Sequence, residues 1–170
     1  SIMRDFEPYY IYSASVAEQQ RTALSHFIWQ KHPELGSDFL RLVLTPFDML
    51  YAKGIVDTKK PLELETDTMK NLRRIDDREV TVINISQVYT PREAYEELLN
   101  TPSLQVYHTL MAQLDLNEFL LPNLTYDEDR SEAARLELLN GIPLASGVVQ
   151  SGQKIVKQGE VVTPEVLQES

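Results

Sequence analysis

The stretch LRRIDDREVTVINI, residues 72–85, holds the clearest strand signals of this chain. Leu72–Ile75 could form a short strand, and Val80–Ile85 is rich in β-branched residues, which favour extended backbone. Asp76–Arg78 between them is polar and typical of a turn. These residues therefore predict an antiparallel β-hairpin.

The residues after the hairpin predict helices. Thr90 precedes Pro91 and is followed three positions later by Glu93, which is the pattern of a helix start with a capping box. A second start at Thr101-Pro102 leads into residues with helical spacing. The apolar face of that second helix comprises Leu104, Tyr107, His108, Met111 and Leu114.

The residues before the hairpin also predict helices. Ser15 followed by Glu18 reads as a capping box, and a helix over residues 15–31 would place Ala17, Leu24, Phe27 and Ile28 on one face. The next apolar periodicity, from Phe39 to Tyr51, is crossed by Pro46. Because proline removes a helical hydrogen bond, we expect a kink or a break there.

Three further segments complete the secondary structure. Residues 128–140 predict a helix that stops at Gly141. Leu62–Glu65 alternates in the manner of a strand. The segment GVVQSGQKIVKQGEVVTPE, residues 147–165, alternates β-branched pairs with glycine-centred turns and ends at Thr163-Pro164, a further helix start.

The order of these elements predicts an α+β fold that is mainly helical, with a small antiparallel sheet and a β-rich C-terminal segment. The β-rich segment could close back onto the strands between residues 62 and 85. We expect a helical part over residues 1–58 and an α+β part over 59–170, joined in one compact domain. A chain of 170 residues with 42% hydrophobic content is long enough to bury such a core.

Composition excludes several functions. The net charge of −10 argues against a nucleic-acid partner, because phosphate contacts need clustered Lys and Arg. The absence of cysteine removes disulfides, thiol catalysis and thiolate metal sites. The sequence contains no P-loop, no GxSxG elbow and no GxGxxG motif. It also lacks a run of about 18 apolar residues that could span a bilayer.

Four segments together resemble the extracytoplasmic domain of bacterial seven-transmembrane receptors that carry a cytoplasmic HD phosphohydrolase. In chain order they are LYAKGIVD (50–57), VYTPREA (88–94), LPNLTYD (121–127) and residues 147–165. Each is a common turn or cap pattern, but the four in this order are specific.

The resemblance implies that the chain is excised from a longer membrane protein, with one membrane helix before it and seven after it. It implies a place on the extracytoplasmic face of a bacterial membrane, either periplasmic or extracellular. The catalytic HD part would lie in the cytoplasm and hydrolyse cyclic di-AMP. This chain has no His-Asp dipeptide, so no catalytic residue is carried over and we expect no enzyme activity and no cofactor here.

Candidate metal ligands are few. His26 and His32 are six positions apart and face different sides of a helix, whereas His108 shares a face with core residues and is interpreted as a core or boundary residue. Asp127–Asp129 resembles the opening of a calcium loop, but the required glycine and final glutamate are missing. Acidic residues at a helix N-terminus explain that cluster without a ligand.

Two other clusters leave alternatives open. Positive charge gathers at Lys59, Lys60, Arg73, Arg74 and Arg78, which could bind an anion or a lipid headgroup or could form a solvated hairpin. The aromatic residues near the start could form a belt beside a membrane or partner, or an ordinary packed strand. They are Phe6, Tyr9, Tyr10 and Tyr12.

The functional hypothesis is a sensory domain that binds an unidentified small molecule and signals through flanking transmembrane helices. The alternative is a module that recruits an envelope protein by strand addition or through an apolar groove, and a dimer is an option for its assembly. The residues we expect to form the fold or interface motif are Tyr89, Thr90, Pro91, Gly147, Gly152, Gly159 and Val161.

Overall fold

A computed structural model describes residues 6–63 and 71–141, together with the backbone of 162–163 and 166–168. The α-helices are α1 (Ala14–Lys31), α2 (Gly36–Lys53), α3 (Lys60–Glu63), α4 (Pro91–Leu99), α5 (His108–Gln113) and α6 (Glu128–Asn140). The strands are β1 (Tyr9–Tyr12), β2 (Asn71–Asp76), β3 (Glu79–Asn84), β4 (Leu124–Tyr126), β5 (Val162–Thr163) and β6 (Val166–Gln168). Short 3-10 helices cover Pro33–Leu35, Ile85–Gln87, Pro102–Tyr107 and Leu116–Phe119. The predicted α+β class is confirmed.

Four strands form one sheet in the order β3-β2-β1-β4. The predicted hairpin is confirmed, since β2 and β3 pair antiparallel around a turn in which Asp77 has a φ of 58°. β1 pairs antiparallel with β4 but parallel with β2. The sheet is therefore mixed rather than antiparallel throughout. The connection from β1 to β2 includes α1, α2 and α3, and such a crossover allows two strands to run in the same direction.

The C-terminal strands β5 and β6 pair antiparallel with each other. The helix predicted to begin at Thr163-Pro164 was wrong, because Val166–Gln168 is extended. The β-branched residues at 162 and 166 favour that extended backbone. The remainder of the predicted β-rich segment lies outside the described residues.

The helix predicted over residues 15–31 is confirmed as α1, but the capping box predicted for it was wrong. The N-cap is Ser13 rather than Ser15, and no side chain caps this end. The Ser13 amide donates to the Asn123 carbonyl at 2.9 Å, which holds this residue in the extended conformation that ends β1. The helix therefore begins as soon as the chain leaves the sheet.

α2 continues through Pro46, so the chain has no helix break there. Pro46 lacks an amide hydrogen and costs the helix a backbone bond. Val43 and Phe47, on either side of it, are both fully buried and hold the two halves of α2 against the same core. Packing of one continuous apolar face therefore outweighs the missing bond.

The strand predicted over Leu62–Glu65 was wrong for its first two residues, which belong to α3. Residues 64 and 65 lie outside the described residues. The Lys60 amide donates to the Thr58 hydroxyl at 3.1 Å, and the Leu62 amide donates to the Lys59 carbonyl at 2.8 Å. These local bonds close a helical turn, and an alternating pattern of four residues is too short to oppose them.

The two remaining helix predictions fared differently. α6 has the predicted bounds and ends at Gly141, which has a φ of 66°. The helix predicted after Thr101-Pro102 begins instead as the 3-10 helix and becomes α-helical only at His108. The Gln105 side chain donates to the carbonyls of Leu99 and Thr101, both at 2.9 Å, and these bonds connect this 3-10 helix to the end of α4.

In the described part of the chain, buried apolar side chains form two cores. The bundle core lies among α1, α2, α4 and α5, and it includes Leu24 and Ile28 with the partly buried Ala17 and Phe27, as predicted. The sheet core lies beside the four-stranded sheet and includes Phe6, Tyr10, Leu72 and Leu124. None of the helices in the described residues is long and apolar enough to span a membrane.

Candidate functional site

Three of the four segments quoted above meet in one place. We call this place the motif junction, and it comprises residues 50–57, 88–94 and 121–127. The Tyr89 amide donates to the Gly54 carbonyl at 3.0 Å, and the Val56 amide donates to the Tyr89 carbonyl at 2.8 Å. The Asp57 amide then donates to the Leu124 carbonyl at 3.0 Å. Isolated bridges thus connect the end of α2 to the residues before α4 and to β4.

The junction joins the two cores. Ile55 is buried in the bundle core, whereas its neighbour Val56 is buried in the sheet core. The same alternation occurs opposite, where Val88 contacts the sheet core and Tyr89 packs against the bundle core. Successive side chains of extended backbone point to opposite sides. The short extended segments of the junction therefore serve both cores at once.

Asn123 lies at the centre of the junction and is 1% exposed. Its side-chain oxygen accepts from the Ile55 amide at 2.8 Å, and its side-chain nitrogen donates to the Tyr51 carbonyl at 3.0 Å. Its own amide donates to the Ile55 carbonyl at 2.9 Å. A buried polar side chain is tolerated when its hydrogen bonds are made, and here both ends of the amide are satisfied.

Gly54 is the point of closest approach in the junction. Its φ is 117°, a conformation that residues with a side chain rarely adopt. A Cβ atom at this position would lie 2.6 Å from Cδ1 of Leu124. Glycine is therefore required both by the backbone angle and by the packing of β4 against the end of α2.

Two buried tyrosines anchor the surroundings of the junction. The Tyr51 hydroxyl donates to the Phe119 carbonyl at 2.6 Å and accepts from the Leu121 amide at 2.9 Å. Burial raises the pKa of Tyr51 to about 12. The Tyr10 hydroxyl donates to the Thr58 carbonyl at 2.7 Å, and burial together with the nearby Asp57 raises its pKa well above the ordinary value.

The predicted capping box at the start of α4 is confirmed. The Glu93 amide donates to the Thr90 hydroxyl at 3.2 Å, and the Thr90 amide donates to the Glu93 carboxylate at 3.0 Å. Lys59 also contacts that carboxylate at 2.7 Å. Burial raises the pKa of Glu93, but the bonds from Lys59 and Thr90 outweigh burial and leave the pKa below its ordinary value.

A groove opens beside the junction between α2 and the α4 region, and we call it the α2–α4 groove. Its volume is about 280 Å³. One wall is a stripe of α2 that includes Pro46, Met49 and Lys53. The opposite wall is formed by Tyr89, Glu97 and residues 100–103. The groove thus combines apolar surface with one positive and one negative side chain.

The charged groups of the groove have no counter-ion within the described residues. Lys53 and Glu97 are exposed and take part in none of the ion pairs found there. A second groove, of about 230 Å³, lies between α1 and α2. Its Arg21 and Asp48 form an ion pair at 3.2 Å, so they neutralise each other. Glu18 also lines this second groove, so of the two grooves the α2–α4 groove is the one whose lining has charges of both signs without an ion pair among the described residues.

The structure brings some of the predicted motif residues together. Tyr89 lies in the motif junction and also lines the groove, while Thr90 and Pro91 begin α4 beside it. Their role at an interface stays a prediction. The other predicted motif residues, Gly147, Gly152, Gly159 and Val161, lie outside the described residues.

The predicted basic cluster does not form one anion site. Arg73 contacts Glu7 at 2.8 Å, and Lys59 is held by Glu93. Arg74 stacks over the Tyr12 ring at 4.0 Å from its centroid. The aromatic residues near the start belong to a packed strand, since Tyr10 of β1 and the preceding Phe6 are buried in the sheet core.

The histidines are dispersed. His26 is exposed on α1, and Nδ1 of His32 lies 3.1 Å from the exposed carboxylate of Glu34. His108 is also exposed, so its placement at the core boundary was wrong, because the 3-10 geometry before α5 changes the rotation per residue. Within residues 6–63 and 71–141, no three His, Cys, Asp or Glu side chains are grouped so that they could hold a metal ion.

The acidic cluster Asp127–Asp129 begins a helix, as predicted. Asp127 is the N-cap of α6, and its Oδ1 accepts from the Arg130 amide at 3.1 Å. Glu128 and Asp129 occupy the first turn, where the helix dipole favours negative charge. A structural role accounts for all three residues.

Several residues of the site were not singled out from the sequence. Asn123 and Gly54 both lie inside quoted segments, and the available signals were a lone Asn between Pro122 and Leu124 and a lone Gly after the last residue of a predicted helical periodicity. Lys53 and Glu97 carried no signal, because exposed charges are common on helices. Met49 was not among the residues named for the apolar periodicity from Phe39 to Tyr51, and it is 55% exposed.

The described parts define a class of protein: an α+β domain with an open, charge-bearing groove beside a buried polar junction. The family model for the 7TM-HD extracellular domain matches residues 1–169. The chain belongs to this family, so it is the extracytoplasmic domain of a seven-transmembrane receptor of the HD type. No curated protein and no solved structure matches the chain.

Proposed function

We propose that this domain binds a small extracytoplasmic ligand in the α2–α4 groove. In this proposal the bound state controls hydrolysis of a cyclic dinucleotide such as cyclic di-AMP by the cytoplasmic HD part of the receptor. The observation that carries the proposal is the groove itself, in which Lys53 and Glu97 lack counter-ions among the described residues. Pockets for small molecules typically combine apolar walls with a few polar groups that orient the ligand.

The position of the groove supports coupling to the rest of the domain. Lys53 is followed directly by Gly54, and Tyr89 belongs to both the groove and the motif junction. A ligand that changes the spacing of α2 and α4 would act on bonds that join the two cores. Signalling requires that the ligand bind two arrangements of the domain with different affinity. A ligand with equal affinity for both arrangements would leave the equilibrium between them unchanged.

The proposal is tested in two steps. The 170-residue chain is screened by thermal shift against cell-envelope metabolites, nucleotides and peptidoglycan fragments, and hits are confirmed by calorimetry. A ligand of the folded state should raise the melting temperature in a saturable way. The hit is then added to the full-length receptor in vesicles, where the rate of cyclic di-AMP hydrolysis should change.

A matched pair of variants assigns the effect to the groove. Ser103 lines the groove, and Ser103→Trp should fill it and abolish both the thermal shift and the change in hydrolysis. Ser86→Trp places the same side chain on another exposed 3-10 helix, outside the groove, and should leave both responses intact. Equal responses in the two variants would contradict a ligand site in the groove.

A second candidate function rests on the edge of the sheet. β3 is an outer strand of the four-stranded sheet, and its Val80 and Val82 are 50% and 53% exposed. An unpaired edge with exposed apolar side chains can accept a strand from another protein. This arrangement favours recruitment of an envelope protein as the alternative function.

Lysine substitutions separate the two functions. Val80→Lys with Val82→Lys should prevent strand addition, since charges on an edge strand oppose it. The same double variant should leave ligand-induced thermal shifts unchanged, because neither residue lines the groove. Loss of receptor signalling in this variant with normal ligand binding would favour the protein partner.

A further inference from the structure

We propose that the ligand of the α2–α4 groove is zwitterionic, with an ammonium group, a carboxylate and an apolar body, as in an amino acid or a short peptide. This inference rests on the proposed function, because it names the chemical class that the same groove would take. The proposal is based on Lys53 and Glu97, which have no ion pair among the described residues, on the net charge of the whole chain and on the apolar part of the groove lining.

The charges that neighbour Glu97 on α4 form ion pairs, whereas Lys53 and Glu97 have none among the described residues. On α4, Glu93 is held by Lys59 at 2.7 Å, and Arg92 contacts Glu96 at 3.5 Å. Glu97 is adjacent to Glu96 but faces the groove, where it has no cation partner within the described residues. Lys53 on the opposite wall likewise lacks an anion there. A ligand with one charge of each sign would satisfy both walls.

The overall charge argues against a purely anionic ligand. The chain carries a net charge of −10, so its long-range field repels anions. A purely cationic ligand would be attracted by the field but would meet Lys53 inside the groove. A zwitterion has no net charge, so the field of the chain does not repel it. Its carboxylate can also lie near Lys53 while its ammonium lies near Glu97. It can also form charge-assisted hydrogen bonds with both side chains.

The lining of the groove includes apolar, adaptable side chains. Met49 is 55% exposed, and Pro46 and Pro102 also line the groove. Methionine adapts to ligands of different shape, because its side chain is unbranched and polarizable. The volume of about 280 Å³ equals that of roughly nine water molecules at about 30 Å³ each. Such a space suits a small amino acid derivative rather than a long polymer.

The test uses L-leucyl-L-leucine and its two singly blocked derivatives, titrated into the 170-residue chain by calorimetry. N-acetylation removes the ammonium, and C-terminal amidation removes the carboxylate. Each block should weaken binding about tenfold, the cost of losing one hydrogen bond between charged groups. Glu97→Gln should abolish discrimination against the N-acetyl form, and Lys53→Met should abolish discrimination against the amide.

Matched controls test whether the effect belongs to the groove. Lys31→Met removes a lysine from the last turn of α1, as Lys53→Met does for α2, and Glu118→Gln removes an exposed acid elsewhere. Both control variants should retain full discrimination. The inference is overturned if the free dipeptide shows no saturable binding up to its solubility limit. It is also overturned if blocking either end costs nothing, or if discrimination survives in Lys53→Met and Glu97→Gln.

Failure of this inference is distinguishable from failure of the proposed function. If an envelope metabolite of another class binds and Ser103→Trp abolishes that binding, the groove is a ligand site and only the zwitterionic class is wrong. If Ser103→Trp changes no ligand response, the assignment of the groove as a ligand site is wrong. The zwitterionic class of ligand is then wrong as well.

Discussion

The motif junction and the α2–α4 groove share residues but differ in whether their polar groups have partners within the described residues. In the junction, both ends of the buried Asn123 amide have partners within the chain. In the groove, Lys53 and Glu97 have no ion-pair partner among the described residues. Tyr89 contributes its backbone hydrogen bonds to the junction and also lines the groove.

This difference distinguishes polar groups that stabilise the fold from polar groups that can bind a ligand. A buried polar group that is satisfied internally fixes the geometry of the fold and has nothing left to offer a ligand. An exposed charge without a partner costs little stability and can recognise a ligand. Substitutions in the junction should therefore change stability strongly, whereas substitutions in the groove should change it little.

The largest expected effect is at the centre of the junction. Asn123→Ala leaves the Ile55 amide and the Tyr51 carbonyl without their side-chain partners in a buried site. We expect the free energy of unfolding to fall by about 3–5 kcal/mol, measured by chemical denaturation. The control Asn117→Ala removes an exposed amide and should change stability by less than about 0.5 kcal/mol. Similar losses in both variants would contradict the structural role of Asn123.

The next effect is at the close approach of β4. Gly54→Ala adds a Cβ atom 2.6 Å from Leu124 in a backbone conformation with a φ of 117°. Strain and overpacking together should lower stability by about 2–4 kcal/mol. Gly36→Ala meets the strain of a φ of 73° but no atom within 4 Å, and should cost only about 1 kcal/mol. An equal cost for both substitutions would show that packing against Leu124 is unimportant.

Tyr51 gives the junction a pH dependence at high pH. The folded state raises the pKa of Tyr51 from 10.0 to about 12, so its stabilisation is complete below pH 10 and is lost as the pH rises towards 12. Tyr51→Phe should cost about 1–3 kcal/mol at neutral pH, because the Phe119 carbonyl and the Leu121 amide lose a partner. It should also reduce the fall in stability between pH 10 and 12.

Tyr10 should keep part of that alkaline fall in the Tyr51→Phe variant, since its pKa is raised too. Tyr95→Phe is the control, because the Tyr95 hydroxyl has no hydrogen bond to a described residue. An unchanged alkaline slope in Tyr51→Phe, measured by denaturation at a series of pH values, would contradict burial as the cause of the shift.

The smallest effects on stability are expected in the groove. Lys53 lies in the last turn of α2, where the helix dipole favours a cation, so Lys53→Met should lower stability by about 0.3 kcal/mol. Glu97 lies near the end of α4, where a carboxylate is disfavoured, so Glu97→Gln should raise stability by about 0.3 kcal/mol. A loss above about 1 kcal/mol in either variant, by denaturation, would mean that the groove charges are structural.

Local sequence patterns predicted the elements whose signals are complete within a few residues. The hairpin follows from two β-prone runs around a polar turn, and α4 follows from Thr90, Pro91 and Glu93. α6 follows from acidic residues at its start and Gly141 at its end. In each case the hydrogen bonds that define the boundary lie between neighbours in the chain.

Predictions failed where distant contacts decide the conformation. α2 passes through Pro46 because Val43 and Phe47 pack in one core, and no pattern around Pro46 contains that contact. Ser13 rather than Ser15 is the N-cap of α1 because the distant Asn123 carbonyl holds its amide. The parallel pairing of β1 with β2 also joins residues more than sixty positions apart.

The sequence by itself determined the α+β class, the extents of α1 and α6, the start of α4 and membership of the receptor family, because short patterns and ordered motifs carry that information. Only the tertiary structure decided that three of those motifs meet at Asn123 and that Lys53 faces Glu97 across a groove. Hydrogen bonding and charge pairing between remote residues depend on distances in space, and a linear pattern does not contain those distances.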